Sequence, residues 1–159
     1  MRPGTALGRG VVVIVAAFIV DMALGPRIAI AGARPDLTMA ALVPVALWIG
    51  DGSAAWLGLL AGSLLGAFGS VGLGSLAVSR ALAAWCTGMV ERRLFRDSLL
   101  VASAAGFGAL AVAELTFFAF SPQPDAVAYL AGALGRAVYN MVLVVPLTIL
   151  LRPLFRPPA

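Results

Sequence analysis

Four ionisable side chains sit inside otherwise apolar stretches of this sequence: Asp21, Arg80, Glu114 and Arg136. A charge at mid-membrane costs about 2.5–3.5 kcal/mol on insertion scales, so each is expected to face inward and find a partner. Two acids and two bases can form a buried charge network that fixes helix register. They can instead line a polar pocket, open on one side, for a ligand or a partner. Gly132, Arg136 and Asn140 recur every four residues, so a small residue, a charge and an amide share one helical face. Glu114 and Arg136 fall at similar depth on consecutive helices and are expected to pair. Asp21 then remains for Arg80, and the swapped pairing stays open beside it.

No catalytic constellation accompanies these charges. Histidine is absent, which removes the usual general base and the commonest transition-metal ligand. Gly72-Leu73-Gly74 lacks the lysine of a phosphate loop and follows no strand. Gly106-Phe107-Gly108 falls within a helix and reads as packing. A paired-carboxylate site would need Asp21 beside Glu114 without their arginines. Cys86 is the single cysteine, so no intramolecular disulfide can form. The residues point away from an enzyme and imply no cofactor and no metal.

The elements that must hold these charges are read from hydropathy. The chain has 159 residues, 62% of them hydrophobic and 11% charged, with a mean hydropathy of +1.03. A soluble domain uses roughly 25% charged residues, so lipid is the expected solvent here. About 20 apolar residues cross a bilayer core. That rule gives six helices in one all-α integral membrane domain, at about 10–24, 37–50, 54–68, 73–90, 98–120 and 126–151. The second and third are short for a crossing. Either they cross a thinned region, or residues 28–33 dip into the membrane, shielded by protein. Five spans, or four with a re-entrant pair, stay open beside six. No segment alternates as a membrane barrel strand would.

All eleven basic residues are arginine, and the net charge is +4. They are scattered among helix ends, which suits topology rather than nucleic acid. With the N-terminus inside, Arg2, Arg9, Arg92, Arg93, Arg96, Arg152 and Arg156 are cytoplasmic, against Arg27 and Arg34 outside. The positive-inside rule then places both termini in the cytoplasm of an inner (plasma) membrane protein, which needs an even span count. The first helix has signal-peptide features, with Ala29-Ile30-Ala31 resembling a cleavage site. Asp21 interrupts its apolar stretch, however, and it is retained as a span. Gly58, Gly62 and Gly66 recur every four residues, forming a groove for a neighbouring backbone, either within the bundle or on a partner's helix. Trp48, Trp56 and Tyr129 near span ends read as interfacial anchors.

Several of these segments, in order and spacing, resemble the MreD family of rod-shape-determining membrane proteins. Arg34-Pro35-Asp36-Leu37 looks like that family's RPDL element. The glycine-rich third helix running into Gly72-Leu73-Gly74 is similar, as is the basic stretch from Glu91 to Ser98 after the fourth helix. Glu114, and Asn140 ahead of Pro146 and Leu151-Arg152-Pro153-Leu154, match the family's intramembrane acid and asparagine. The resemblance covers about residues 10–155. Two positions depart from it: Gly66 stands where the family often has Asp, and Gly72 where it has Pro, so no role of that Asp is carried over. The resemblance implies a non-enzymatic subunit of the bacterial elongation machinery. Such a subunit binds MreC, a bitopic partner with a periplasmic domain, and links MreB filaments to peptidoglycan synthases, with room for more than one copy in the complex. It also implies a bundle similar to the substrate-binding subunits of energy-coupling-factor transporters. The rival function is therefore a small-molecule-binding transporter component.

Overall fold

Helix starts and stops follow local capping chemistry. Asp36 accepts a hydrogen bond from the Met39 backbone N–H at 2.7 Å and opens the second helix. Ser98 opens the fifth, and Asp125 opens the sixth by accepting from Ala128 N–H at 2.9 Å. Each side chain satisfies an amide that the first turn leaves unpaired. The computed structural model describes residues 3–29, 34–69, 72–90 and 98–155. Arg2, the basic stretch with Arg92, Arg93 and Arg96, Arg156, and residues 30–33 of the expected membrane dip lie outside the described residues.

Six helices result: α1 (Pro3–Leu24), α2 (Leu37–Ile49), α3 (Asp51–Phe68), α4 (Leu73–Val90), α5 (Leu99–Phe120) and α6 (Ala126–Phe155). Four stretches, Gly4–Leu24, Leu73–Val90, Leu99–Phe120 and Ala126–Phe155, are long and apolar enough to cross a membrane. Val12, Ile19, Leu100, Val127, Val142 and Leu150 are each more than half exposed on outer faces, which suits a lipid surroundings and not water. The chain has the make-up of an all-α membrane protein. α1 begins seven residues earlier than hydropathy gives, and α6 runs on to Phe155. Arg9 Nη1 donates to Leu154 O at 2.7 Å, tying those two extensions together.

α2 is the axis of the bundle. Thr38 to Leu47 are all buried, and α2 touches each of the other five helices. Its 13 residues span roughly 20 Å at 1.5 Å per residue, short of the roughly 30 Å hydrocarbon core. Being enclosed by protein, it has no lipid thickness to match. A single residue, Gly50, joins it to α3 with φ 85°, a left-handed corner that glycine takes without a Cβ penalty.

The α3 groove is filled from within. A Cβ on Gly66 would lie 2.5 Å from Leu73 Cα, and one on Gly58 or Gly62 would overlap the carbonyl oxygens of Arg80 or Leu76. Gly88 brings α4 equally close to the start of α3, where a Cβ would lie 2.5 Å from Asp51 Cα. Gly58, Gly62 and Gly66 therefore seat the α4 backbone. The expectation that they could receive a partner's helix is corrected, because no space is left there.

Candidate functional site

α1, α3 and α5 run toward one end of the bundle and α2, α4 and α6 run away from it. That end, opposite the start of α1 and the end of α6, gathers six charged side chains. A cavity of about 260 Å³ opens there, lined by Asp21, Arg34, Asp36, Arg80, Glu114 and Arg136 among others. Three acids face three arginines, so the formal charge sums to zero. An adjoining cavity of about 250 Å³ shares Arg80, Glu114 and Arg136 and adds Gln123 and Tyr129.

The Glu114–Arg136 pair forms as their depth predicts. Arg136 Nε donates to Glu114 Oε1 at 3.0 Å and Nη2 to Oε2 at 2.9 Å, the fork geometry that makes arginine–carboxylate contacts strong. The Tyr129 hydroxyl also donates to Glu114 Oε2, and the Arg136 guanidinium lies 5.5 Å from the Tyr129 ring centre. Tyr129 stacks on Phe118 with centroids 5.5 Å apart. It is thus a member of the polar cluster rather than an interfacial anchor. Trp48 likewise stacks on Phe155 at 5.4 Å, whereas Trp56 faces outward at 69% exposure.

Asp21 and Arg80 do not pair. Arg80 Nη2 instead meets Asp36 Oδ2 at 2.5 Å, with both side chains about nine-tenths buried. Asp21 Oδ2 accepts from the Thr38 hydroxyl at 3.2 Å, and Arg34 Nη2 reaches to 3.5 Å from Asp21 O. The correction has a plain cause. α2 starts only at Leu37, and the aspartate that caps it lies within reach of the arginine on α4, while Asp21 is taken up by Thr38.

Asn140 completes the arrangement. Its Oδ1 accepts from Asp36 N–H and its Nδ2 donates to Asp36 O, both at 3.1 Å. One side-chain amide thus pairs the N–H and the C=O of a single residue just before a helix; that N–H has no intrahelical partner, and the C=O also accepts from Ala40 N–H at 2.9 Å. Asp36 is held by α4 through its carboxylate and by α6 through its backbone. Arg34 and Pro35 lead into this point, Arg34 exposed and Pro35 buried. The Asp36 carboxylate and Asn140 side chain lock three helices together at one residue.

No family model, curated protein or solved structure matches the chain.

Chemically the cluster is built to hold position. Both oxygens of Glu114 and of Asp36 accept from donors within the fold. Among the described residues no group of three or more His, Cys, Asp or Glu is placed to hold a metal ion. Residue reasoning missed Asp36, Tyr129 and Thr38 as members of this cluster. The shortness of α2 was the available signal for Asp36; nothing in the sequence separates Tyr129 from an ordinary belt tyrosine.

Glu114→Gln leaves the Arg136 fork with a neutral partner. Because Arg136 keeps 27% exposure, water offsets part of the loss, and destabilisation of about 2 kcal/mol is expected. Glu114→Gln with Arg136→Gln is expected to cost less than the sum of the singles. Chemical unfolding in detergent, followed by helical circular dichroism, reads this directly; additive singles would mean the pair contributes no coupling.

Proposed function

We propose that the chain is a non-enzymatic, six-span scaffold of the bacterial cell-elongation machinery in the inner membrane. In this reading it binds an MreC-like bitopic partner and, through it, links MreB filaments to peptidoglycan synthases. One observation carries the reading. Arg34-Pro35-Asp36, Glu114 and Asn140, which are among the residues that carry the MreD resemblance, converge on a single site at one end of the bundle. A cluster in which Arg80 pairs with Asp36 and Arg136 with Glu114 suits a part that holds shape for a partner.

The rival reading, a substrate-binding transporter subunit similar to those of energy-coupling-factor transporters, asks for aromatic and hydrogen-bonding groups converging on a ligand. Here most of the polar groups converge on one another, which favours the scaffold.

Two experiments test the proposal. Co-expression with the MreC-like protein of the same genome should allow both to be isolated on a tag carried by either one. Failure to co-purify in mild detergent, with both proteins folded, would count against it. Topology is tested by reporter fusions: sites after Arg96 and Arg152 should score cytoplasmic and a site near Asp125 external. A cytoplasmic signal at Asp125 would rule out six spans.

A further inference from the structure

Between α4 and α5, at the end of the bundle away from the charged cluster, lies an apolar groove of about 410 Å³, a size usual for ligand sites. Thr87 and Val90 on α4 and Val101, Ala104, Gly108 and Val112 on α5 line it. A Cβ on Gly108 would meet nothing within 4 Å. Water has no hold there. The Thr87 hydroxyl already donates to Ala83 O at 2.8 Å, the other polar side chain is the Cys86 thiol, and a buried water typically makes about three hydrogen bonds. The groove is one leaflet deep. Residues 100–112 extend roughly 18 Å along α5 at 1.5 Å per residue, a little over half of the roughly 30 Å hydrocarbon core. Leu100 and Ala104 on its wall are exposed, so lipid can enter. The same end carries the protein's charge. By place in the chain, Arg2, Arg9, Arg92, Arg93, Arg96, Arg152 and Arg156 belong to it, against Asp51, Glu91 and Asp97. The whole net charge of +4 therefore falls at this end.

We propose that this groove seats an acyl chain of one anionic phospholipid, of the phosphatidylglycerol kind, with its headgroup at the arginine-rich end. Hydrocarbon fills an apolar wall that water cannot satisfy. Arginines at a membrane surface attract anionic headgroups, which decides for this lipid over a zwitterionic one. A partner's membrane-crossing helix would need a seam along the whole bundle, whereas this groove stops near mid-membrane, as an acyl chain does. The proposal goes beyond the scaffold reading and does not rest on it, since groove and charge are there whatever partner the bundle serves.

The test uses the full chain in nanodiscs of equal phosphatidylglycerol and phosphatidylcholine with matched acyl chains, and native mass spectrometry counts the lipid that stays bound. One phosphatidylglycerol should be retained, with on the order of fivefold preference over phosphatidylcholine. Gly108→Leu fills the groove from a position with free space around it. It should abolish that retention while leaving the melting temperature in detergent unchanged or raised. Ala131→Leu adds the same bulk at an exposed position on α6 and should change nothing. A phosphatidylglycerol with a photoreactive acyl chain gives a second readout on the wild-type protein. Its cross-links should concentrate on residues 86–90 and 100–112 rather than on exposed Val142 and Leu150 of α6. No retained lipid would leave the groove to a protein partner and overturn the proposal. Equal retention of the two lipids, a folded Gly108→Leu protein that keeps its lipid, or cross-links spread evenly over the bundle would overturn it too.

Discussion

Asp36→Ala is expected to destabilise the protein by about 4–6 kcal/mol. Removing one partner of a buried ion pair costs about 3–5 kcal/mol, because the other charge is stranded, and losing a helix cap adds about 1 kcal/mol. Both apply at this one residue, which caps α2 at Met39 and neutralises a nine-tenths buried arginine. The two contributions can be separated. Asparagine caps as well as aspartate, so Asp36→Asn should lose the ion-pair part and keep the cap. Asp36→Asn combined with Arg80→Gln removes the stranded charge and should recover most of the ion-pair loss. Unfolding of the purified protein in a denaturing-detergent titration measures these three and Arg80→Gln alone. If the double variant is no more stable than Arg80→Gln alone, Asp36 is not the partner that matters to Arg80.

Gly62→Leu is expected to prevent α3 and α4 from closing. Its Cβ alone would overlap the carbonyl oxygen of Leu76, and Ala77 Cα would lie 2.6 Å away. These are backbone atoms, which cannot rotate aside as a side chain could. The cost should therefore reach or exceed the upper end of the roughly 1–3 kcal/mol usual for overpacking. Gly108 on α5 supplies the control. A Cβ there meets nothing within 4 Å, so Gly108→Ala should be neutral or slightly stabilising through helix propensity. Monodispersity in size-exclusion chromatography and melting temperature read both variants. A folded Gly62→Leu protein with an unchanged melting point would contradict the close approach of the two helices.

Most of the helical frame was legible in the residues because two independent signals coincide. Apolar runs give the spans, and Asp36, Ser98 and Asp125 cap the helices that begin after them. The ends of α1 and α6 were less so. The sequence there turns polar and carries prolines, and what keeps the helices going is a contact between distant ends, Arg9 with Leu154. At the site, Glu114 with Arg136 was readable because consecutive antiparallel helices fix relative depth. Arg80 with Asp36 was not, because Asp36 lies outside any apolar run and so has no depth of its own in a hydropathy reading. Its depth comes from the enclosed position of α2, a tertiary fact. Asn140 was recognised as sharing a face with Arg136, but its two hydrogen bonds to the Asp36 backbone depend on that same depth. The glycine spacing on α3 announced a close approach without naming the helix that makes it. Only packing decides between α4 and a partner.

Controlled depletion of the chain in the organism that encodes it, with cell width and length followed by microscopy, tests the scaffold account most directly. The account predicts that depleted cells lose rod shape and round up while still growing. The wild-type chain should restore rods, and Asp36→Ala should not. Depleted cells that remain rods of normal width would contradict it.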